Sequence, residues 1–279
     1  MRTYSIVFLD IDGTLLNSRH QIMPCTHERL QQLHRQGVPI VLCSARPPEG
    51  VNLVARQAGV QGPVACYNGG LIFDENGAIL RDVGIDIPLA AEFRQFAAER
   101  FPDVVVSAYL YNIWLAEEPR HPAILQEAEI SGCEPLQGSL AQAASVVSHV
   151  HKLLCIGDAM RIRALQKELR ERFPQLMALR SKSNYLEILP PESTKGNAAQ
   201  MLLAHYGLGA KHAVAFGDSD VDLDMLQYCG FGVAMGNAPR QVKEQADYVT
   251  ASNDEEGVYI ALNSLRLKAP CGSRKPEKV

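Results

Sequence analysis

No apolar stretch in this chain approaches the ~20 residues that a bilayer-spanning helix requires, and there is no internal repeat. GxxxxGK[ST] is missing, as is any GxGxxG after the first strand-like run, so neither a P-loop nor a dinucleotide fingerprint is present. The seven cysteines (25, 43, 66, 133, 155, 229 and 271) are odd in number, scattered and never spaced as CxxC. That pattern excludes a disulfide framework and a zinc site, and it reads as reduced thiols used for packing. Positive charge is in deficit, 27 Lys+Arg against 31 Asp+Glu for a net charge of −4. No nucleic-acid partner is therefore expected, since phosphate backbones reward a basic surface, although a small phosphate ester needs only local positive charge. The N-terminus, MRTYSIVFLDIDG, reaches acidic residues too early for a cleavable signal peptide. The expected compartment is a reducing cytoplasm, with no membrane partner. What remains is ordinary globular material: 279 residues, 47% hydrophobic and 21% charged, enough for one large domain or two modest ones.

Short apolar runs alternate with helical patterns at both ends of the chain. Ser5–Leu9, Val38–Cys43 and Val64–Tyr67 are apolar almost throughout rather than alternating, the style of strands buried on both faces. Between the first two, Thr26 is placed to cap a helix whose Leu30 and Leu33 share a face and which stops at Gly37. From about Ile85 to Ile188 the character changes. Polar-interrupted strands (Val104–Ala116, His149–Ile156, Tyr185–Leu189) surround helices at Leu89–Arg100 and Arg161–Phe173. The buried style returns at Ala213–Phe216 and Phe231–Met235. This order predicts an α/β fold, a doubly wound Rossmann-like parallel-sheet core of residues 1–84 and 189–265 with an inserted α+β domain of 85–188. The basic, proline-containing tail, 266–279, is expected to be disordered.

The strongest chemical signal is Asp10-Ile11-Asp12-Gly13-Thr14-Leu15, directly after the first strand. Open α/β sheets bind ligands at the carboxyl ends of their strands. Two carboxylates this close repel unless a cation, a shared proton or a bound group balances them, although DxD alone is equally an Asx-type turn. Three further elements add weight. Ser44-Ala45-Arg46-Pro47 offers a hydroxyl and backbone amides at a helix start, suited to an anionic oxygen. Ser193-Thr194-Lys195-Gly196 puts an ammonium at the positive end of another helix. Gly217-Asp218-Ser219-Asp220-Val221-Asp222-Leu223-Asp224 then follows a buried strand, with four acids in seven residues from Asp218 to Asp224. Of these, Asp220 and Asp224 are explained by the dipole of a helix N-terminus.

Taken in order, DIDGTL (10–15), SAR (44–46), Lys195-Gly196 and GDSDVD (217–222) resemble the four motifs of the haloacid dehalogenase superfamily, specifically its Cof-type (subfamily IIB) phosphatases with a C2 cap. Asn68-Gly69-Gly70, LEILP (186–190), Val233–Ala238, Ala246–Val249 and Asn253–Val258 extend the resemblance over about residues 3–265. It implies a C2-type cap at 85–188 and a Mg²⁺-dependent phosphatase acting on small phosphorylated metabolites, with sugar phosphates ranked first. Asp10 would be the nucleophile that forms an aspartyl-phosphate, and Asp12 the acid and base. Ser44 and Lys195 would hold the transferring phosphoryl oxygens. Asp10, the Asp12 carbonyl and Asp218 would bind Mg²⁺, supported by Asp222, Arg46 and Asn68.

Two departures from the family pattern stand out. Ser-Ala-Arg replaces the usual Thr-Gly-Arg, and Val221 stands where the family carries Asn, which removes one expected amide contact to the site. A phosphomutase or phosphotransferase using the same aspartyl-phosphate is the first competitor, and a non-catalytic binding protein on the same scaffold the second. A dehalogenase fits less well, because the acid at Asp12 serves a leaving oxygen that a carbon–halogen bond lacks. His149 and His151 share a strand face without carboxylates at ligand spacing and read as structural. Trp114 reads equally as core or as substrate-facing, and nothing in the sequence indicates an oligomeric state.

Overall fold

A computed structural model of the chain describes residues 3–270. The described backbone divides into two compact units, residues 3–81 with 194–270, and Asp82–Ser193.

The first unit is built on an eight-stranded sheet. Its strands run in the order Tyr248–Val249, Phe231–Ala234, Ala213–Gly217, Ile6–Asp10, Ile40–Cys43, Val64–Cys66, Leu71–Phe73, Ile79–Asp82. The first six are parallel, and Leu71–Phe73 turns back antiparallel. Alternation sends Ile6 and Phe8 to one face, where they pack with Ala198, Leu202, Met225 and Leu226. Val7 and Leu9 turn to the other face, and helices Pro24–Arg35 and Pro48–Ala58 contribute buried Leu30, Leu33, Val51 and Val54. Being covered on both faces is what makes these strands continuously apolar in sequence. From Ile6–Asp10 the chain steps outward to one side as far as Ile79–Asp82, and it later returns to add Ala213–Gly217 on the other side. The order therefore reverses beside Asp10, and such a switch point leaves a crevice at the strand ends.

Thr26 does not cap the first helix. Met23 is the N-cap, Pro24 is the first helical residue, and Thr26 is the third, buried, with its hydroxyl donating to Glu256 Oε2 at 2.7 Å. The tail also starts later than its composition implies: Arg266–Leu267 pair in parallel with Thr3–Tyr4. Residues 271–279 lie outside the described part.

The second unit has a six-stranded sheet ordered Leu136–Gln137, Ile113–Ala116, Val105–Leu110, Lys152–Ile156, Tyr185–Leu189, Met177–Lys182. All its pairings are antiparallel except that of Leu136–Gln137 with Ile113–Ala116. The stretch read as one strand over Val104–Ala116 is thus a hairpin, turned at Tyr111, which adopts φ 49°. Helices Ile87–Arg100 and Ala159–Arg172 cover one sheet face through Phe93, Phe96, Ile162, Leu165 and Leu169. On the other face Trp114 stacks on Tyr109 with ring centroids 5.4 Å apart, and Lys152 Nζ lies 4.8 Å from the Tyr109 ring centroid and 3.4 Å from Glu187 Oε2.

Candidate active site

Strand register assembles the site. Asp10 pairs with Cys43 across one neighbour, and Leu9 pairs with Phe216 across the other. Asp10, Ser44 and Asp218 therefore leave the same end of the sheet on adjacent strands. Asp10 is 5% exposed. Its Oδ1 accepts a hydrogen bond from Lys195 Nζ at 2.5 Å, and the same ammonium donates to Asp222 Oδ1 at 2.5 Å. Lys195 can reach both because it opens helix Lys195–His205, whose start is fixed twice. The Thr194 hydroxyl accepts the Asn197 N–H at 3.2 Å, and Asp224 Oδ2 accepts the Gly196 N–H at 2.9 Å. Asp224 thus holds a neighbouring helix, rather than merely facing its own dipole.

Asp222 is completely buried, and its second oxygen is equally committed. Oδ2 accepts the N–H groups of Asp218 (3.1 Å) and Ser219 (2.9 Å) and the Ser219 hydroxyl (2.8 Å). Asp218 is held more lightly, by the Thr14 hydroxyl on Oδ1 (3.3 Å) and by Asn237 Nδ2 on Oδ2 (3.2 Å). Its carboxylate lies where a Cβ on Gly13 would be, and Gly13 adopts φ +84°, so residue 13 must be glycine on both counts. Both carboxylates thus have side-chain donors although Val221 offers none.

Asp12 stands apart from the buried cluster. Its side chain is 49% exposed and forms a two-pronged pair with Arg46, Nε to Oδ2 at 2.8 Å and Nη2 to Oδ1 at 2.5 Å. Ser44 is buried, and its Oγ accepts the Arg46 N–H at 3.2 Å. The Ser44 carbonyl accepts the N–H of buried Asn68 at 2.8 Å. Tyr67 and Asn68 both take positive φ, 51° and 55°, conformations that cost about 1–3 kcal/mol each and gather at functional sites. Gly69 completes this turn against the start of the Lys195 helix, where a Cβ would lie 2.8 Å from the Thr194 carbonyl oxygen.

The charges do not balance. Asp10, Asp218 and Asp222 can bring one oxygen each within 4.8 Å of one another, around the single ammonium of Lys195. Burial pushes the Asp10 carboxyl well up against the pull of Lys195. Burial, and then the Asp222 charge, push Asp218 up to about 6, with Lys195 opposing. Burial alone would lower the Lys195 pKa, but the charges of Asp10 and Asp222 outweigh it and keep the ammonium protonated. Asp10 Oδ2 is buried with no hydrogen-bond partner among the described residues. An orphaned carboxylate oxygen beside a second, lightly held carboxylate, in a site with excess negative charge, suits a hard divalent cation. The oxygens of Asp10 and Asp218 are the donors that fit it. Asp222, with both oxygens used, is left to position the lysine and the loop.

His149 and His151 do meet a carboxylate, from a residue far away in sequence. Asp82 Oδ1 lies 2.8 Å from His149 Nε2 and 3.0 Å from His151 Nε2, and Asp82 Oδ2 accepts the Tyr111 hydroxyl at 2.6 Å. The trio has the composition of a metal site, but the tautomer of His151 opposes that use. Its Nδ1 accepts the Tyr111 N–H at 3.2 Å, so the ring proton sits on Nε2 and points at Asp82. The cluster is a carboxylate satisfied by protein donors. Trp114 is buried within its own unit against Tyr109, and its Nε1 has no hydrogen-bond partner.

A doubly wound sheet that places a lysine-bridged carboxylate cluster at its switch point is an α/β enzyme scaffold with a metal-competent acidic site. The family of haloacid dehalogenase-like hydrolases matches residues 7–262, and the chain belongs to it, as one of its phosphatases. A Haemophilus influenzae protein provisionally named a phosphatase is 34% identical over 261 residues, covering 93% of this chain and 97% of that one. A Bacillus subtilis relative, 5-amino-6-(5-phospho-D-ribitylamino)uracil phosphatase YwtE, is 26% identical over 280 residues, 93% of this chain and 97% of its own. The crystal structure of a haloacid dehalogenase-like hydrolase from Bacteroides thetaiotaomicron superposes with a TM-score of 0.85 at 29% identity, covering 94% of this chain and 99% of that one.

Proposed function

We propose that this phosphatase hydrolyses small phosphate monoesters with Mg²⁺, through an aspartyl-phosphate on Asp10. The observation that carries the reading is the Asp10 carboxylate: one oxygen fixed by Lys195, the other buried and unpartnered beside Asp218, at the strand end where the sheet order reverses.

When bound between the Asp10 and Asp218 oxygens, Mg²⁺ would offset the negative charge of a phosphate brought among carboxylates. The chain's own groups carry the rest. An Asp10 oxygen forms a bond to phosphorus as the ester P–O bond breaks, and the departing alkoxide takes its proton from Asp12. Asp12, now a carboxylate, accepts a proton from water as that water's oxygen attacks phosphorus. The bond to Asp10 breaks and inorganic phosphate leaves. Lys195 and the Ser44 hydroxyl stabilise the charge spread over the equatorial oxygens. Asp222 holds Lys195 in place, and Asn68 supports the Ser44 backbone. Arg46 holds the Asp12 carboxylate at rest; once released from Arg46 and protonated from solvent, Asp12 serves as the acid.

Among small phosphorylated metabolites, a sugar-type phosphate is the class we favour. The Bacillus subtilis relative named for a 5-phospho-D-ribityl compound supports a phosphate ester on a polyhydroxylated chain. We also read the unit of Asp82–Ser193 as a C2-type cap. No helix among the described residues is long and apolar enough to cross a membrane. Burial pushes the free Cys43 thiol up to about 12, and pushes those of Cys66, Cys155 and Cys229 up as well, which suits inert thiols in the proposed reducing cytoplasm. The test is a panel of phosphate esters assayed with Mg²⁺ and again with chelator. Chelator-sensitive release of phosphate is expected, with sugar phosphates preferred. No release from any ester with any divalent metal would refute the reading.

A further inference from the structure

Asn237 belongs to none of the elements that carry the proposed chemistry, yet both donors and the oxygen of its side-chain amide are engaged around them. Nδ2 donates to the Gly13 carbonyl at 2.8 Å and to Asp218 Oδ2 at 3.2 Å, and Oδ1 accepts the Asn253 N–H at 3.1 Å. This set fixes which way the amide points. Reversed, its oxygen would face the Asp218 carboxylate and its NH₂ would face an N–H. The contact continues through a belt of residues from the same late loop. Asn253 Nδ2 donates to the Leu16 carbonyl at 2.9 Å, Asp254 Oδ1 accepts the Ser18 N–H at 2.9 Å, and the Glu256 carboxylate accepts the N–H groups of Cys25 (2.8 Å) and Thr26 (2.9 Å). Glu256 takes φ 59° at the end of that loop, a conformation a non-glycine residue keeps only where its surroundings hold it. The chain from Gly13 to Thr26, which carries Asp12 at its root, is therefore gripped at intervals by residues 237–256.

We propose that Asn237 is a positioning residue for the metal-binding carboxylate: it aims Asp218, and with Asn253 it sets the height of the Gly13 turn beneath it. The inference rests on the reading of Asp10 and Asp218 as the Mg²⁺ donors, and it assigns to Asn237 the amide donor that Val221 lacks. Among the described residues the other side-chain donor to Asp218 is Thr14, at a longer distance, so loss of the amide frees its carboxylate to rotate. Asn237 is itself exposed, so water competes for the bond and the effect is a moderate one.

The test is calorimetric titration of Mg²⁺ alone into the full-length protein, with thermal melts in chelator as a check on folding. Asn237→Ala is expected to weaken Mg²⁺ binding roughly three- to tenfold, below the loss for a buried hydrogen bond to a charged group because water competes at this exposed site. Asn237→Leu, which keeps most of the side-chain volume but offers no donor, should bind Mg²⁺ as weakly as Asn237→Ala. A residue needed only to fill space in the loop would instead be rescued by Leu. Adding Val221→Asn to Asn237→Ala should recover part of the affinity. Equal Mg²⁺ affinity in wild type, Asn237→Ala and Asn237→Leu would overturn the proposal. Ester hydrolysis that fails while wild type binds Mg²⁺ and the variants bind it more weakly would count against the phosphatase mechanism and support the positioning role. A wild type that binds no divalent cation would overturn both.

Discussion

Replacing Lys195 with Met should strand two buried carboxylates, and the size of the effect follows from where they sit. The lysine side chain is 3% exposed, that of Asp222 is 0% and that of Asp10 is 7%. Breaking a buried pair by removing one partner costs about 3–5 kcal/mol, because the remaining charge is left without compensation. That cost has a ceiling set by proton uptake, about 1.4 kcal/mol for each unit by which the solution pH exceeds the ordinary carboxylate pKa of the unfolded chain. The sign follows. In Lys195→Met the folded state binds a proton near neutral pH that the unfolded chain, with ordinary carboxylates, does not. Stability therefore falls as pH rises, and the deficit against wild type is largest near pH 8 and smaller near pH 5. Asp222→Asn should also destabilise, since its NH₂ would face the ammonium. The double variant removes both charges and should cost less than the sum of the singles, with a coupling of about 2 kcal/mol. Urea unfolding of all four proteins at pH 5 and pH 8, in chelator, measures every term. A Lys195→Met protein as stable as wild type at pH 8, or singles that add without coupling, would refute the account of this cluster.

Three further outcomes are expected. Burial lowers His151 to about 4 against an ordinary value near 6.5, so the unfolded chain takes up the proton first as pH falls. Up to about 3 kcal/mol of stability should drain between pH 6.5 and 4, and His151→Gln should flatten that part of the curve; parallel curves would contradict it. Asp12→Ala should slow departure of alkyl leaving groups by much of the ~10²–10⁴-fold that acid catalysis supplies, and spare aryl leaving groups in single-turnover assays. Equal losses for both would mean that Asp12 has no acid role. Val221→Asn alone should leave the Mg²⁺ requirement within about twofold, because Thr14, Asn237 and Ser219 already donate to the two neighbouring carboxylates. A large gain would show that those donors do not compensate.

The core strands were legible in the sequence because burial on both faces writes itself as an unbroken apolar run. Ile6–Asp10, Ile40–Cys43 and Ala213–Gly217 fall within a residue or two of where composition placed them. Asp10, Ser44, Lys195 and Asp218 were legible because each directly follows a strand or opens a helix, positions that a sheet topology gathers at one end. Thr26 misled because a good capping residue is recognised by type, whereas Pro24 had already fixed the helix start and Glu256 claims the hydroxyl. The hairpin at Tyr111 carries no glycine or proline to announce it. Asn237, Asn253 and Asp82 act across more than 15 residues of chain, and no local spacing predicts such contacts; only the folded geometry joins them. The metal-like look of Asp82, His149 and His151 is settled by the direction of one backbone N–H, which no sequence records.

The central claim, covalent transfer of phosphate to Asp10, has a direct measurement. The protein is mixed with Mg²⁺ and an aryl phosphate, quenched during turnover, reduced with borohydride and digested, and the peptide containing residue 10 is read by mass spectrometry. An aspartyl-phosphate is reduced to homoserine, whereas a free carboxylate survives unchanged. The account predicts homoserine at position 10, dependent on both substrate and metal, and absent from an Asp10→Asn protein that has lost turnover. Steady hydrolysis with Asp10 unmodified, homoserine at Asp12 or Asp218 instead, or an Asp10→Asn protein that still turns over, would contradict it.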